Sequence, residues 1–279
     1  MSHNDEIRMT KHECSNDEMT IRSSFAIRAL SFLRHSTFVP RHLKEIRLSF
    51  LMVTKRLLLF DIDGTLVNTG GAGVESLKIT VRNRFGAKDD LHDIEIAGKT
   101  DRAIIRDILR KYQVDPKEEN IASFAQEYIH GLPLSLSRSR GRVLPGIQQL
   151  LERLKPRPHI VLALLTGNLQ QGARLKLQHY GLWDFFEFGA FADDHHDRNQ
   201  LGAFARARAQ TRHGHDFDAA DIDVIGDTNH DIACGKAFGA RTIAVATGSW
   251  SRERLHACAP DFLFDDLADT DEVIKKLGW

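Results

Sequence analysis

The chain has 279 residues, enough for one large domain or two modest ones, and 42% of them are hydrophobic, which excludes a disordered chain. Lys+Arg and Asp+Glu both total 38, so the formal net charge is zero and the overall balance favours no nucleic-acid partner. The three cysteines (Cys14, Cys234, Cys258) are odd in number and lack C-x-x-C spacing, which argues against a disulfide framework or a zinc site and points to a reducing cytoplasm.

No apolar run approaches the roughly 20 residues that cross a bilayer, so no membrane partner is expected. Residues 1–54 read differently from the rest. The start is polar and aperiodic, and from Met19 to Arg56 the chain is Arg-rich with one acidic residue, Glu45. An amphipathic targeting segment, an accessory helix and an extension without its own fold all fit this pattern. Met52 is a candidate start, and no catalytic residue is expected within residues 1–54.

From Lys55 onward, short continuous apolar runs alternate with helical stretches. Strands are predicted at 57–62, 160–165, 188–191, 222–225, 242–246 and 261–264. Continuous apolar runs bounded by Gly, Asp or Thr suit parallel strands buried on both faces. Helices are predicted at 145–154, 169–179, 200–212 and 231–238, the last ended by Gly239. The alternation predicts an α/β fold with a doubly wound parallel sheet. Residues 73–141 interrupt it with helical patterns at 74–85, 101–111 and 116–130 and no strand. The domains expected are therefore an extension (1–54), a core (55–72 plus 142–279) and a small helical insert (73–141), with glycines 70, 71 and 73 and the stretch Ser135–Gly146 as hinges.

The first strand runs into Asp61-Ile62-Asp63-Gly64-Thr65. Alternate residues of extended backbone share a face, so both carboxylates point into one site at a strand's carboxyl end. Later strands end in Thr166-Gly167-Asn168 and in Gly226-Asp227-Thr228-Asn229-His230-Asp231. These runs together resemble the motifs of the haloacid dehalogenase superfamily, in its phosphoglycolate phosphatase-like group, over residues 55–279. The resemblance implies a Rossmann-like core and a phosphatase acting through an aspartyl-phosphate on Asp61, with Asp63 as general acid and base. The presence of Asp63 favours phosphoryl transfer over dehalogenation. Thr166 would donate to a phosphoryl oxygen, aided by the Gly167 amide and Asn168. A Mg²⁺ cofactor would be held by Asp61, the Asp63 carbonyl and Asp227, with Asp231 outside them; Asp231 also suits a helix N-terminus.

The sequence departs from the family pattern where a Lys is usual before the last motif. The cation there is Arg198, assigned to hold the phosphate and Asp61 through a bidentate fork. His195 and His196, among Asp193, Asp194 and Asp197, read as a polar loop, and Cys234 as a packed residue. The insert takes the position of the family's helical cap. Its Ile96-Ala-Gly-Lys-Thr-Asp101 run resembles a substrate-reading loop, which implies substrate contacts from Lys99 and Thr100; Thr100 also suits an N-cap. The expected partner is a small phosphorylated metabolite, the expected state a monomer or homodimer. A phosphomutase and a non-catalytic binding protein of the same fold are the alternatives.

Overall fold

The computed structural model describes residues 55–279, so the expectations for residues 1–54 lie outside the described residues. β1 (Arg56–Phe60) and the short β2 (Val67–Asn68) lead into three helices, α1 (Ala72–Phe85), α2 (Asp101–Lys111) and α3 (Glu118–Arg138). β3 (Arg142–Val143) returns the chain to α4 (Ile147–Leu154), β4 (Ile160–Leu165), α5 (Gln170–His179) and β5 (Gly189–Ala190). There follow α6 (Leu201–His213), β6 (Ile222–Gly226), α7 (Asn229–Ala237), β7 (Arg241–Val245), α8 (Arg252–Ala257), β8 (Phe262–Phe264) and α9 (Thr270–Leu277).

Six strands form one sheet in the order β5-β4-β1-β6-β7-β8, and every pair is parallel. This is the predicted doubly wound α/β sheet. Strand alternation divides its residues between two apolar layers. Leu58, Phe60, Leu162 and Leu164 face one layer with Leu150, Leu177 and Val273. Leu57, Leu59, Val161 and Ala163 face the other with Leu201, Ala205 and Cys234. Both faces are therefore covered, which is why these strands read as unbroken apolar runs.

Some boundaries move for local reasons. β1 stops at Phe60 rather than Ile62, because the Ile62 carbonyl accepts from the Leu66 and Val67 amides and folds the chain back on itself. The helix predicted at 116–130 continues to Arg138 through Pro133, with Leu132, Ser135 and Leu136 buried. The expected hinge at Ser135–Gly146 is thus helical over its first residues. Pro133 is tolerated at the loss of one intrahelical bond because the helix is anchored on both sides by packing. β2 pairs with β3 antiparallel, Val67 opposite Val143 and Asn68 opposite Arg142, so the chain leaves and re-enters the sheet layer through a two-stranded ribbon. α8 and α9 were not predicted; α9 is a short amphipathic helix whose Val273, Ile274 and Leu277 are buried.

No helix among the described residues is long and apolar enough to cross a membrane.

The end of the sheet opposite the β1 aspartates is locked by Asp223, fully buried at the start of β6. Its carboxylate accepts from Arg241 Nε (2.6 Å) and Nη2 (2.8 Å), from Arg56 Nη1 (3.3 Å) and from Trp279 Nε1 (2.5 Å). The carboxylate ties β1, β6, β7 and the Trp279 indole together. Removing one partner of a buried ion pair strands the others. Asp223→Ala is expected to lower unfolding free energy by about 3–5 kcal/mol in urea titrations. A change below about 1 kcal/mol, the scale of an exposed pair, would show that the cluster does not hold the sheet.

Candidate active site

Three parallel strands deliver the polar residues to one place. Asp61 and Asp63 follow β1, Thr166 follows β4 and Asp227 follows β6, and these strands are neighbours in the sheet. The carboxyl ends of adjacent parallel strands, near the strand-order reversal, are where open α/β sheets build sites. The turn after Asp63 needs Gly64, which has φ 85°; a Cβ there would sit 2.3 Å from Asp227 Oδ2. Only a glycine lets the β1 turn and Asp227 approach so closely.

Asp61, Asp227 and Asp231 are all buried, and each offers a carboxylate oxygen within 4.8 Å of the others'. They form the only such acidic, His or Cys group of three or more among the described residues. Arg198, itself buried, is the cation among them. Its Nη2 bridges Asp61 Oδ1 (2.8 Å) and Asp231 Oδ1 (2.5 Å), while Nη1 donates to the Gly98 carbonyl (3.0 Å). The expected bidentate fork on Asp61 is corrected here: one nitrogen spans two carboxylates, because Asp231 and the Gly98 carbonyl compete for the same guanidinium. Asp231 also caps α7, its Oδ2 accepting from the Thr228 amide (3.0 Å) and hydroxyl (2.7 Å). Helix cap and site residue are the same carboxylate.

Burial, opposed by Arg198 and reinforced by Asp231 and Asp63, pushes the Asp61 carboxyl up to about 6. Burial and the neighbouring Asp231 and Asp61 hold Asp227 well above the usual carboxylate range. Arg198 stays protonated: burial works against its charge, but Asp231 and Asp61 outweigh it. Three buried carboxylates with one cation form an all-oxygen donor set short of positive charge, which suits a hard divalent ion.

A second ion pair holds Asp63. Lys176, on α5 and 4% exposed, donates to Asp63 Oδ2 (2.5 Å) and to Asn168 Oδ1 (2.6 Å). Asn168 Nδ2 donates to Asp63 Oδ2 (2.9 Å) and to Thr166 Oγ1 (2.8 Å), and Thr69 Oγ1 reaches Asp63 Oδ1 (3.5 Å). Burial disfavours the Lys176 charge, but Asp63 and Asp101 overcome it and raise the ammonium. Thr166 is fully buried and accepts from Asn168 through both the amide nitrogen and the side chain, which leaves its own hydroxyl proton to donate. Lys176 was missed in the sequence. Its signal is a lysine on the apolar face of a helix, in step with Ala173 and Leu177, which are both buried.

The helices between β2 and β3 close over these residues and leave a cavity of about 500 Å³. Contact is made by backbone. The Asp101 amide donates to the Gly167 carbonyl (2.6 Å), and a Cβ at Gly167 would lie 2.3 Å from the Lys99 carbonyl. Asp101 Oδ2 accepts from the Leu169 amide (2.8 Å) at the start of α5, and burial pushes this carboxyl up to about 6. Gly167, Asn168 and Lys99 line the cavity. Lys99 Nζ is engaged by Glu95 (3.2 Å) and Asp107 (3.3 Å). Thr100 corrects its expected role as a substrate contact. It is 1% exposed, accepts from the Ala103 amide (3.2 Å) as the cap of α2, and donates to the His196 carbonyl (2.7 Å). The hydroxyl is consumed by holding the insert to the core. His195 and His196 stack on each other in the loop before Arg198, and Cys234 is buried with its thiol on the Arg198 carbonyl (3.1 Å).

Comparison with known proteins agrees with this geometry. The family model described as haloacid dehalogenase-like hydrolase matches residues 58–245, more than half of the chain. A protein described as probable phosphatase IndB, from Dickeya dadantii, is 28% identical over 227 residues, covering 77% of this chain and 91% of its own. The pyrophosphatase PpaX of Bacillus cereus is 24% identical over 223 residues, covering 79% and 97%. A predicted phosphoglycolate phosphatase structure from Haemophilus somnus superposes with a TM-score of 0.61 at 18% identity, over 80% of this chain and 99% of that one, a likeness of fold. By the family match and the convergence of its acidic motifs at one sheet end, this chain is an enzyme that belongs to the haloacid dehalogenase-like hydrolases.

Proposed function

We propose that the chain is a Mg²⁺-dependent phosphatase that hydrolyses a small phosphomonoester through an aspartyl-phosphate on Asp61. The observation that carries this reading is the separate pairing of the two β1-end carboxylates: Asp61 with Arg198, and Asp63 with Lys176 and Asn168, around one cavity. Two carboxylates held apart by different partners suit two different tasks. The phosphatase and pyrophosphatase relatives support the same chemistry.

In the first step an Asp61 oxygen attacks phosphorus and the bond to the leaving oxygen breaks, Asp63 giving that oxygen its proton. In the second a water attacks the phosphorus of the aspartyl-phosphate, its proton passes to Asp63, and phosphate leaves with Asp61 restored. Arg198 fixes the Asp61 oxygen that it contacts, and Lys176 and Asn168 fix the orientation of Asp63. Thr166, with its hydroxyl proton unused, and the Gly167 amide serve a phosphoryl oxygen. Asp61, the Asp63 carbonyl and Asp227 would hold Mg²⁺, with Asp231 behind them bound to Arg198 and Thr228. When bound, the ion offsets the excess negative charge so that phosphate and carboxylate can meet. The insert α1–α3 acts as a cap that keeps bulk water from the attacked phosphorus. The cysteine pattern favours action in the cytoplasm.

Asp61→Asn is expected to lower kcat for phosphate release by at least about 10³-fold, and Asp63→Asn by about 10²–10⁴-fold, in a malachite-green assay. EDTA should abolish turnover, added Mg²⁺ should restore it, and far-UV circular dichroism should not change. Full activity of Asp61→Asn would remove the nucleophile from this scheme. Arg198→Ala leaves Asp61 and Asp231 buried without their cation, so it should cost about 3–5 kcal/mol of stability by urea unfolding. Lys176→Met should cost less in the same titration, because the side chain of Asp63 is 40% exposed and water can take over. Equal losses in the two variants would contradict this ranking.

A further inference from the structure

Three cations line the cavity among the described residues: Lys99, Lys176 and Arg198. Each already faces two carboxylates. Arg198 contacts Asp61 and Asp231. Lys176 contacts Asp63 and lies in the field of Asp101. Lys99 contacts Glu95 and Asp107. No cation in the lining is left over for a second acidic group on the substrate. A substrate carboxylate or second phosphate placed there would lose its hydration without gaining a partner.

Apart from Asp101, the rest of the insert wall is largely apolar. Val74, Leu77, Ile96 and Ile104 face the cavity together with Tyr128, which is 1% exposed. Gly73 lies beside Lys176 Nζ and the Tyr128 hydroxyl, 3.6 Å and 3.7 Å from where a Cβ would stand. Burial, with Asp101 and Asp63 nearby, holds the Tyr128 phenol well above its ordinary range, so it presents a neutral O–H. The volume of about 500 Å³ exceeds the need of a bare phosphate and admits an organic group the size of a small ring.

Resting on the phosphatase reading, we infer that the substrate is a phosphomonoester of an uncharged, largely apolar alcohol, held by Val74, Leu77, Ile96 and Ile104 and by one hydrogen bond from Tyr128. Phosphoglycolate, bisphosphates and pyrophosphate, which all carry a second anionic group, are the poor substrates.

The test compares two compounds of nearly equal shape, phosphoglycolate and its neutral amide, with phenyl phosphate as an apolar ring and pyrophosphate as a second anion. Each is assayed for phosphate release with Mg²⁺ by wild type and by Asp61→Asn. The amide and phenyl phosphate should show kcat/KM at least tenfold above phosphoglycolate and pyrophosphate. Val74→Lys, at a half-buried wall position where a long stem can reach water, should raise kcat/KM for phosphoglycolate about tenfold and shrink the preference. Asp61-dependent turnover that is equal for the amide and phosphoglycolate, or that favours phosphoglycolate or pyrophosphate, would overturn this inference and leave the phosphatase reading intact. No Asp61-dependent phosphate release from any of the four compounds would overturn both.

Discussion

Negative charge concentrated in a small buried volume is the constraint on which the site depends. Asp61, Asp227 and Asp231 bring their oxygens within 4.8 Å of one another, and Asp63 lies beside them. Carboxylates so placed repel one another and lose hydration, and burial raises Asp61 and Asp227 in response. The fold answers with two fixed cations. Arg198 reaches in from the loop before α6, and Lys176 from the buried face of α5. Each ion pair has further hydrogen bonds, to Gly98 and to Asn168, as buried charges require. The charge still outstanding is what makes a divalent ion chemically apt at Asp61 and Asp227.

The same charges join the insert to the core. Arg198 spends one nitrogen on the Gly98 carbonyl of the insert, so the residue that steadies Asp61 also holds the covering segment. Asp101 bonds the Gly167 carbonyl through its amide and the Leu169 amide through its carboxylate. Thr100 bonds the loop carbonyl of His196. These contacts are short and mostly to backbone, so they depend on close approach, which Gly167 permits by lacking a Cβ. The segment so attached lies over the buried Asp61 and Asp227, and its apolar residues line part of the remaining cavity. The opposite end of the sheet has its own polar lock in Asp223, so both ends of the central strands are pinned by buried carboxylates with paired cations.

The sequence by itself determined the sheet and the acidic half of the site. Strands buried on both faces are largely apolar, so 160–165 and 222–225 were visible as runs in spite of the buried Asp223, and the site aspartates stood after β1 and after β6. The helix of Asp101–Lys111 was legible to the residue, because Thr100 caps it and its apolar residues keep helical spacing. Tertiary structure alone decided the cationic half. A lysine in a helix is ordinarily a solvated surface residue, and only the packing of α5 under the insert turns Lys176 inward to Asp63. Likewise only the meeting of Gly98, Asp61 and Asp231 makes Arg198 a bridge instead of a fork, and only the docking of the insert spends the Thr100 hydroxyl on His196. Which residue types lie along a strand or helix is a local matter of period and caps. Which charge finds which partner depends on distances between segments far apart in the chain, and those exist only once the core and insert have packed.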